Sequence, residues 1–457
     1  MITYRVLLPH PLEPRLLMLR AHGGWRLPEW EDATPRPRQH TAHINRAVLA
    51  RFGVETTVLR CVAEDRAPGT DDCIRVYELD NRSPAHDTVP SSTWIGRSEL
   101  DGMVVADPAA RGLIGAWFSR EGGELPPRGP AWSRRGWYVE ALAWAVARLH
   151  ALGVVSTGSP VQVCAWERAF VMRLATDEAA FLFKATAPAT RHEAPLVAWL
   201  AARYPDVVPE LVAVDEGRGW FLQREVDDAV PLNEVRLEEE WCRTVRRFAG
   251  VQRDMADCAA ELRALGCPDR RLSVLARRIP RLCADTDAML LGDAQGLTRQ
   301  EIGEVAALAP RLLALCEELD GYGLPETLEH GALHADNVVS TAGGPVFLDW
   351  ADSSVSHPFF GVSQLLSDAA GLVPAPSRES RRLIRDSYLV PWREHAPPET
   401  LLRAFEVARA LAPVHHATAV HAELLPAADQ PWELAPLIPG YLRAALQLLR
   451  EEQPPAA

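Results

Sequence analysis

Strand and helix periods divide this chain into a mixed front part, a strand-rich middle and a long helical remainder. Tyr4–Leu8 and Leu16–Arg20 read as short strands flanking Pro-Leu-Glu-Pro, a hairpin signal. Helical spacing runs over Thr41–Phe52 and ends at Gly53, placed as a glycine just past a helix end. Strands are predicted at Thr56–Val62 and Cys73–Leu79, and a helix at Ala109–Arg120. Residues 121–131 are rich in Gly and Pro and mark a domain boundary. A helix over Trp137–Leu152 precedes a strand-rich block, Val161–Val226. From Leu237 onward apolar residues recur at i, i+3 and i+4 over 238–265, 270–291 and 299–320. Short strands and loops interrupt at 325–360, helices follow to about residue 450, and the tail after them is expected to fray. No internal repeat is visible. The pattern predicts an α+β chain: a first domain over 1–120, a linker and helix over 121–155, a small strand-rich lobe over 156–230 and a large helical lobe over 231–457.

Composition narrows the function classes. At 457 residues the chain is too long for one ordinary core, and 47% hydrophobic with 24% charged residues is the balance of a soluble globular protein. A net charge of −13 argues against a nucleic-acid binder, which would show a basic stripe, and suits a cationic small molecule mildly. The eight cysteines form no C-x-x-C pair, so buried reduced thiols are expected. The first residues carry no basic, apolar leader pattern, and no apolar run reaches membrane-spanning length. A cytoplasmic protein without membrane contact is expected.

Arginine supplies all but one of the 48 basic residues; the single lysine is Lys184, inside the strand-like Ala-Phe-Leu-Phe-Lys-Ala. Lysine is a compact point charge on a thin stem, which suits a phosphate in a tight slot better than the broad arginine fork. Glu193 opens the next helical stretch. A strand lysine paired to a glutamate on the following helix is how kinase folds hold the α/β-phosphates of ATP. A second constellation is His330-Gly-Ala-Leu-His-Ala-Asp-Asn337, followed by Val346-Phe-Leu-Asp349-Trp350. Gly343-Gly344-Pro345 supplies a turn between the two segments, so Asn337 and Asp349 can offer oxygen ligands to one Mg²⁺ from two sides.

These residues together resemble the aminoglycoside phosphotransferase family, small-molecule kinases of the protein-kinase-like fold, whose loop reads His-Gly-Asp-x-His-x-x-Asn and whose metal strand ends in Asp-Trp. The resemblance covers about residues 156–457 and implies a bilobal kinase-like domain using ATP and Mg²⁺ on a small-molecule hydroxyl. It implies nucleotide binding by Lys184 and Glu193, adenine contacts from the backbone of Glu225 and Val226, and metal binding by Asn337 and Asp349. The family's catalytic aspartate falls on Ala332, whose methyl group can neither accept a proton nor orient a hydroxyl. His334 and Asp336 are the neighbours that can take over that role; His330 is expected to bond loop backbone, and His357 with Phe359 and Phe360 to pack in the core. The helices between 237 and 320 are expected to line the acceptor pocket. The alternatives are a pseudokinase, a nucleotide-binding scaffold that would work through a protein partner, and a different transfer such as nucleotidylation.

The front domain resembles a Nudix hydrolase fold through Gly24-Trp-Arg-Leu-Pro28, Asn45–Val54 and Trp94–Leu100. The glutamates that bind metal in that family fall on Ala47, Ala50 and Arg51, which implies a non-catalytic domain.

Overall fold

The computed structural model describes residues 1–66, 72–84, 91–120, 129–366 and 378–451. The boundary expected at 121–131 and the fraying tail lie largely outside them. The backbone divides into two compact units, Met1–Ala187 and Pro188–Ala457.

In the first unit, strands β1 (Ile2–Leu7), β2 (Leu16–Ala21), β3 (Gly24–Arg26) and β4 (Glu29–Asp32) precede helix α1 (Ala42–Phe52). Strands β5 (Thr56–Arg66), β6 (Cys73–Asn81) and β7 (Ser92–Ile95), the short helix α2 (Arg97–Leu100) and helix α3 (Pro108–Ser119) follow. One sheet has the order β4-β1-β6-β5, with β1 and β6 parallel; a second has the order β3-β2-β7. The hairpin signal is therefore met only at its turn. His10 N–H donates to Arg15 C=O and Leu17 N–H to Leu8 C=O, but β1 and β2 then part into different sheets. Their strongest partners, β6 and β7, come from much later in the chain, so local turn chemistry does not decide the pairing. Leu7, Leu16, Met18, Leu27, Ile95, Ile114 and Phe118 form one core cluster.

Helix α1 ends as its sequence predicts. Gly53 takes a left-handed φ of 67° and its N–H returns to Leu49 C=O, a conformation a Cβ would disfavour. On this helix Arg51 lies over the Trp30 ring, 5.4 Å from its centroid, so its side chain has a packing partner. Helix α4 (Trp137–Ala151) leads into the antiparallel meander β8 (Val161–Ala165), β9 (Ala169–Ala175) and β10 (Ala180–Thr186). Buried Gln162 ties this meander to the front sheet: its amide accepts from Asn45 and from Val58 N–H and donates to Val58 C=O.

The second unit opens with α5 (Glu193–Arg203) and the antiparallel pair β11 (Leu211–Asp215) and β12 (Trp220–Arg224). Short β13 (Val230–Pro231) precedes α6 (Glu238–Asp254), which buries Trp241, Val245, Phe248 and Gln252 at helical spacing. The helix expected over 238–265 is broken: Met255 and Ala256 turn their N–H groups to carbonyls three residues back, and α7 (Ala259–Ala264) restarts beyond. Helices α8 (Leu272–Ala284) and α9 (Arg299–Asp320) follow. Two small antiparallel pairs interrupt them: β14 (Thr327–Glu329) with β17 (Ser354–Ser356), and, nested inside, β15 (Val338–Thr341) with β16 (Gly344–Phe347). Helices Arg378–Leu389, Pro398–Ala419 and Leu437–Glu451 complete the unit. Among the described residues no helix is long and apolar enough to cross a membrane.

Candidate active site

The nested strand pairs place the two halves of the expected chemistry side by side. The outer pair, β14 and β17, clamps the bases of two loops, 330–337 and 348–353. The inner hairpin pairs Val338 with Phe347, and Leu348 N–H donates to Asn337 C=O at 2.8 Å. Asp349 is therefore one residue beyond the partner of Asn337. Asp349 is exposed and holds φ at 60°, a left-handed conformation that a non-glycine residue adopts at a cost.

His330 bridges the two loops. It is fully buried, its ring centroid lies 4.5 Å from that of the tilted Trp350 ring, and its Nε2–H donates to Leu348 C=O at 3.0 Å. Nδ1 accepts from Ala332 N–H, which fixes the neutral tautomer. Burial lowers its pKa to about 4, so it stays neutral at ordinary pH. This is the backbone-bonding role expected of it; His357, Phe359 and Phe360 are buried, also as expected.

The carbonyl of Ala332 accepts from His334 N–H at 2.8 Å and from Asn337 Nδ2 at 2.9 Å. Committing the Asn337 amino group in this way leaves its oxygen, the atom a hard cation requires. Gly331 has φ of 77°, and a Cβ there would collide with the Asp352 carbonyl, so only glycine lets the loops approach this closely.

The two residues expected to act as a base have different surroundings. His334 is exposed and borders a cavity of about 840 Å³. Asp336 does not line that cavity; it accepts a hydrogen bond from the Asn233 side chain. The remaining lining comes from residues 363–366 and from the helices Arg378–Leu389, Pro398–Ala419 and Leu437–Glu451. The expectation that helices between 237 and 320 line the acceptor pocket does not hold for this cavity. The apolar face of α6 is occupied elsewhere, with Gln252 bonding Leu328 and Pro358 carbonyls.

The other expected residues are distributed over both units. Lys184 is a buried residue of β10 in the first unit, opposite Val171. Glu193 is the buried first residue of α5 in the second unit, and Glu225 and Val226 follow β12, half-buried. Helix α5 packs against the turn at Trp350–Asp352, and burial lowers the pKa of His192, just before the helix, to about 4.

One buried carboxyl has no counterpart in the sequence reading. Glu329 ends β14 fully buried and accepts from Gly331 N–H at 2.8 Å, while its Oε2 has no hydrogen-bond partner. Burial raises its pKa to about 7, only partly opposed by the Gly331 bond and the charge of Arg270. Its pairing with Ser354 across β17 and its cover by Gly361 are long-range facts that the stretch Thr-Leu-Glu does not advertise.

Residues 161–397 match the family described as "Phosphotransferase enzyme family". No curated protein matches the chain. Among solved structures, a choline/ethanolamine kinase family protein from Mesorhizobium loti is 16% identical, with 69% of this chain and 96% of that chain covered and a TM-score of 0.48. Choline kinase LicA from Streptococcus pneumoniae is 10% identical over 69% of this chain and 99% of its own, with a TM-score of 0.46. A spectinomycin phosphotransferase in complex with ADP and spectinomycin is 12% identical over 67% and 98%, with a TM-score of 0.40.

Proposed function

The chain belongs to the phosphotransferase enzyme family, and from that premise we propose that it transfers a phosphoryl group from ATP, with Mg²⁺, to a hydroxyl of a small molecule. The observation that carries this reading is the nested hairpin: it sets Asn337 and Asp349 on paired strand ends, beside a loop whose His334 borders a cavity. In this reading the kinase-like part spans 156–457, with a strand-rich lobe to 230 and a helical lobe beyond.

The residues fit a nucleotide-borne cation. Among the described residues no group of three or more His, Cys, Asp or Glu side chains could hold a metal by itself. Mg²⁺ ordinarily takes one or two protein oxygens and completes its shell with phosphates and water. The Asn337 amide oxygen and the Asp349 carboxylate are those two ligands in our reading. When bound, the cation neutralises charge developing on the transferred group. Lys184 holds the α/β-phosphates, Glu193 orients Lys184, and the backbone of Glu225 and Val226 meets the adenine edge. His334 receives the acceptor proton; Asp336, already bonded to Asn233, is the less direct choice.

Ala332 favours a second reading, a pseudokinase that binds nucleotide without transfer, because nothing on its methyl can serve as a base. Both readings require Mg·ATP binding. At a hundredfold excess over Kd a ligand specific for the native state adds about 2.7 kcal/mol of stability. Mg·ATP is expected to raise the melting temperature, and Lys184→Ala or Asp349→Ala to remove the rise. Absence of any shift in the wild type at millimolar Mg·ATP, with no heat in calorimetry, would reject the nucleotide site.

For residues 1–120 we propose a degenerate Nudix-like domain. Ala47, Ala50 and Arg51 supply no carboxylate on α1, and Arg51 is engaged with Trp30. The full chain is expected to release no nucleoside monophosphate from nucleoside diphosphate-linked substrates. Chelator-sensitive release that survives Asp349→Ala would overturn this assignment.

A further inference from the structure

The cavity bordered by His334 carries an unusual charge for a chain of net −13. Among the described residues four arginines line it, Arg381, Arg382, Arg385 and Arg409, against two carboxylates, Glu406 and Glu451. The lining thus has two more cationic than anionic side chains. Glu406 is already engaged: Oε2 accepts from Arg409 Nε at 3.0 Å, and Oε1 lies 3.5 Å from Arg385. Arg385 gives its other edge to Asp386, which does not line the cavity. Arg381 and Arg382 are exposed and make no ion pair among the described residues. Phe405 and Tyr441 add aromatic surface to the same cavity.

We propose that the acceptor is an anionic hydroxylated molecule, carrying a carboxylate or phosphate on a partly apolar body, held by Arg381, Arg382 and Arg409. The proposal rests on the phosphotransferase reading for the word acceptor, and on the cavity alone for the anion. A guanidinium fork matches the two oxygens of a carboxylate or phosphate, and several forks around one volume favour negative charge throughout it. The volume of about 840 Å³ suits a small organic ligand rather than a bare ion. An amine or quaternary ammonium entering the same space would bring a cation toward four guanidiniums, with one of the two carboxylates already bonded to them. Net acidity of the whole chain, which suits a cationic partner, is reversed locally by the packing of helices Arg378–Leu389 and Pro398–Ala419.

The test uses the full chain and two pairs of hydroxylated probes: gluconate and ribose 5-phosphate against glucosamine and choline. Calorimetry without nucleotide reads the cavity, and ADP release with Mg·ATP reads transfer. Gluconate or ribose 5-phosphate is expected to bind at least tenfold more tightly than either cation, more weakly as salt rises, and the tighter of the two identifies the anionic group. Arg382→Gln and Arg409→Gln are each expected to weaken that binding roughly tenfold or more, the loss typical of a hydrogen bond to a charged group. Anion binding lost in these variants, without ADP release from any probe, supports the anionic cavity and removes only the kinase reading. Equal or tighter binding of glucosamine or choline overturns the proposal, as does the absence of anion binding or anion binding indifferent to both arginine variants.

Discussion

Ala332→Asp is expected to raise the rate of ADP formation, first seen as faster hydrolysis of ATP by water. The reasoning starts from the backbone. Ala332 is already fixed on both sides: its N–H reaches His330 Nδ1, and its carbonyl accepts from His334 and Asn337. Its side chain is half-buried, so a carboxylate placed there needs no new loop conformation. A positioned base contributes about 10²–10⁴-fold to such a transfer, and even a tenfold gain corresponds to about 1.4 kcal/mol of barrier. The gain should disappear in the double variant with Asp349→Ala, because a base without the proposed metal ligand has nothing to assist. The opposite pattern is equally decisive. An active wild type that Ala332→Asp slows, and that His334→Ala abolishes, would mean that the proton path runs through His334. Inactivity of both the wild type and Ala332→Asp, with Mg·ATP still bound, would favour the pseudokinase.

The parts of this site that were legible in the sequence are those fixed by local chemistry. Gly343 and Gly344 demanded a turn, and the turn delivers the β15–β16 hairpin that pairs Asn337 with Leu348. Gly53 likewise stops α1 where a left-handed residue was needed. Long-range packing was not legible. The first two strands share a turn yet enter different sheets, because β6 and β7 lie far along the chain. The cavity arginines lie on two helices, at 381–385 and at 409, and only helix packing turns them toward one volume. No spacing rule marks them in a chain where arginine supplies nearly every positive charge. Glu329 was hidden for the same reason. Its burial depends on Gly361, where a Cβ would collide with its Oε1, and on the partner strand β17.

Buried titratable groups make stability depend on pH in two opposed ways, and Glu329 can be isolated from the rest. Burial lowers the pKa of His43, His192, His330 and His416 to about 4 and that of His357 to about 3, and places His415 well below its ordinary value. The unfolded chain protonates such groups near 6.5 while the folded chain resists, so the stability they provide above that pH is lost progressively as pH falls toward 4. Glu329 acts in the other direction. Its folded pKa is raised to about 7 from an ordinary value of 4.5, so the native state keeps a proton that the unfolded state has released. Its contribution is complete below the unfolded value and is lost as pH rises through about 7. Glu329→Gln keeps an oxygen for Gly331 N–H and removes the titration. The histidines are common to both proteins, so the difference in unfolding free energy, wild type minus variant, isolates the carboxyl. That difference is expected to fall by about 2 kcal/mol between about pH 5.5 and about pH 8, on the order of 1.4 kcal/mol for each pH unit spent below the folded pKa. Urea unfolding at a series of pH values measures it. Parallel profiles for the two proteins would show that Glu329 is already ionised in the native state, and that the buried carboxylate finds its compensation in Arg270 and the Gly331 N–H.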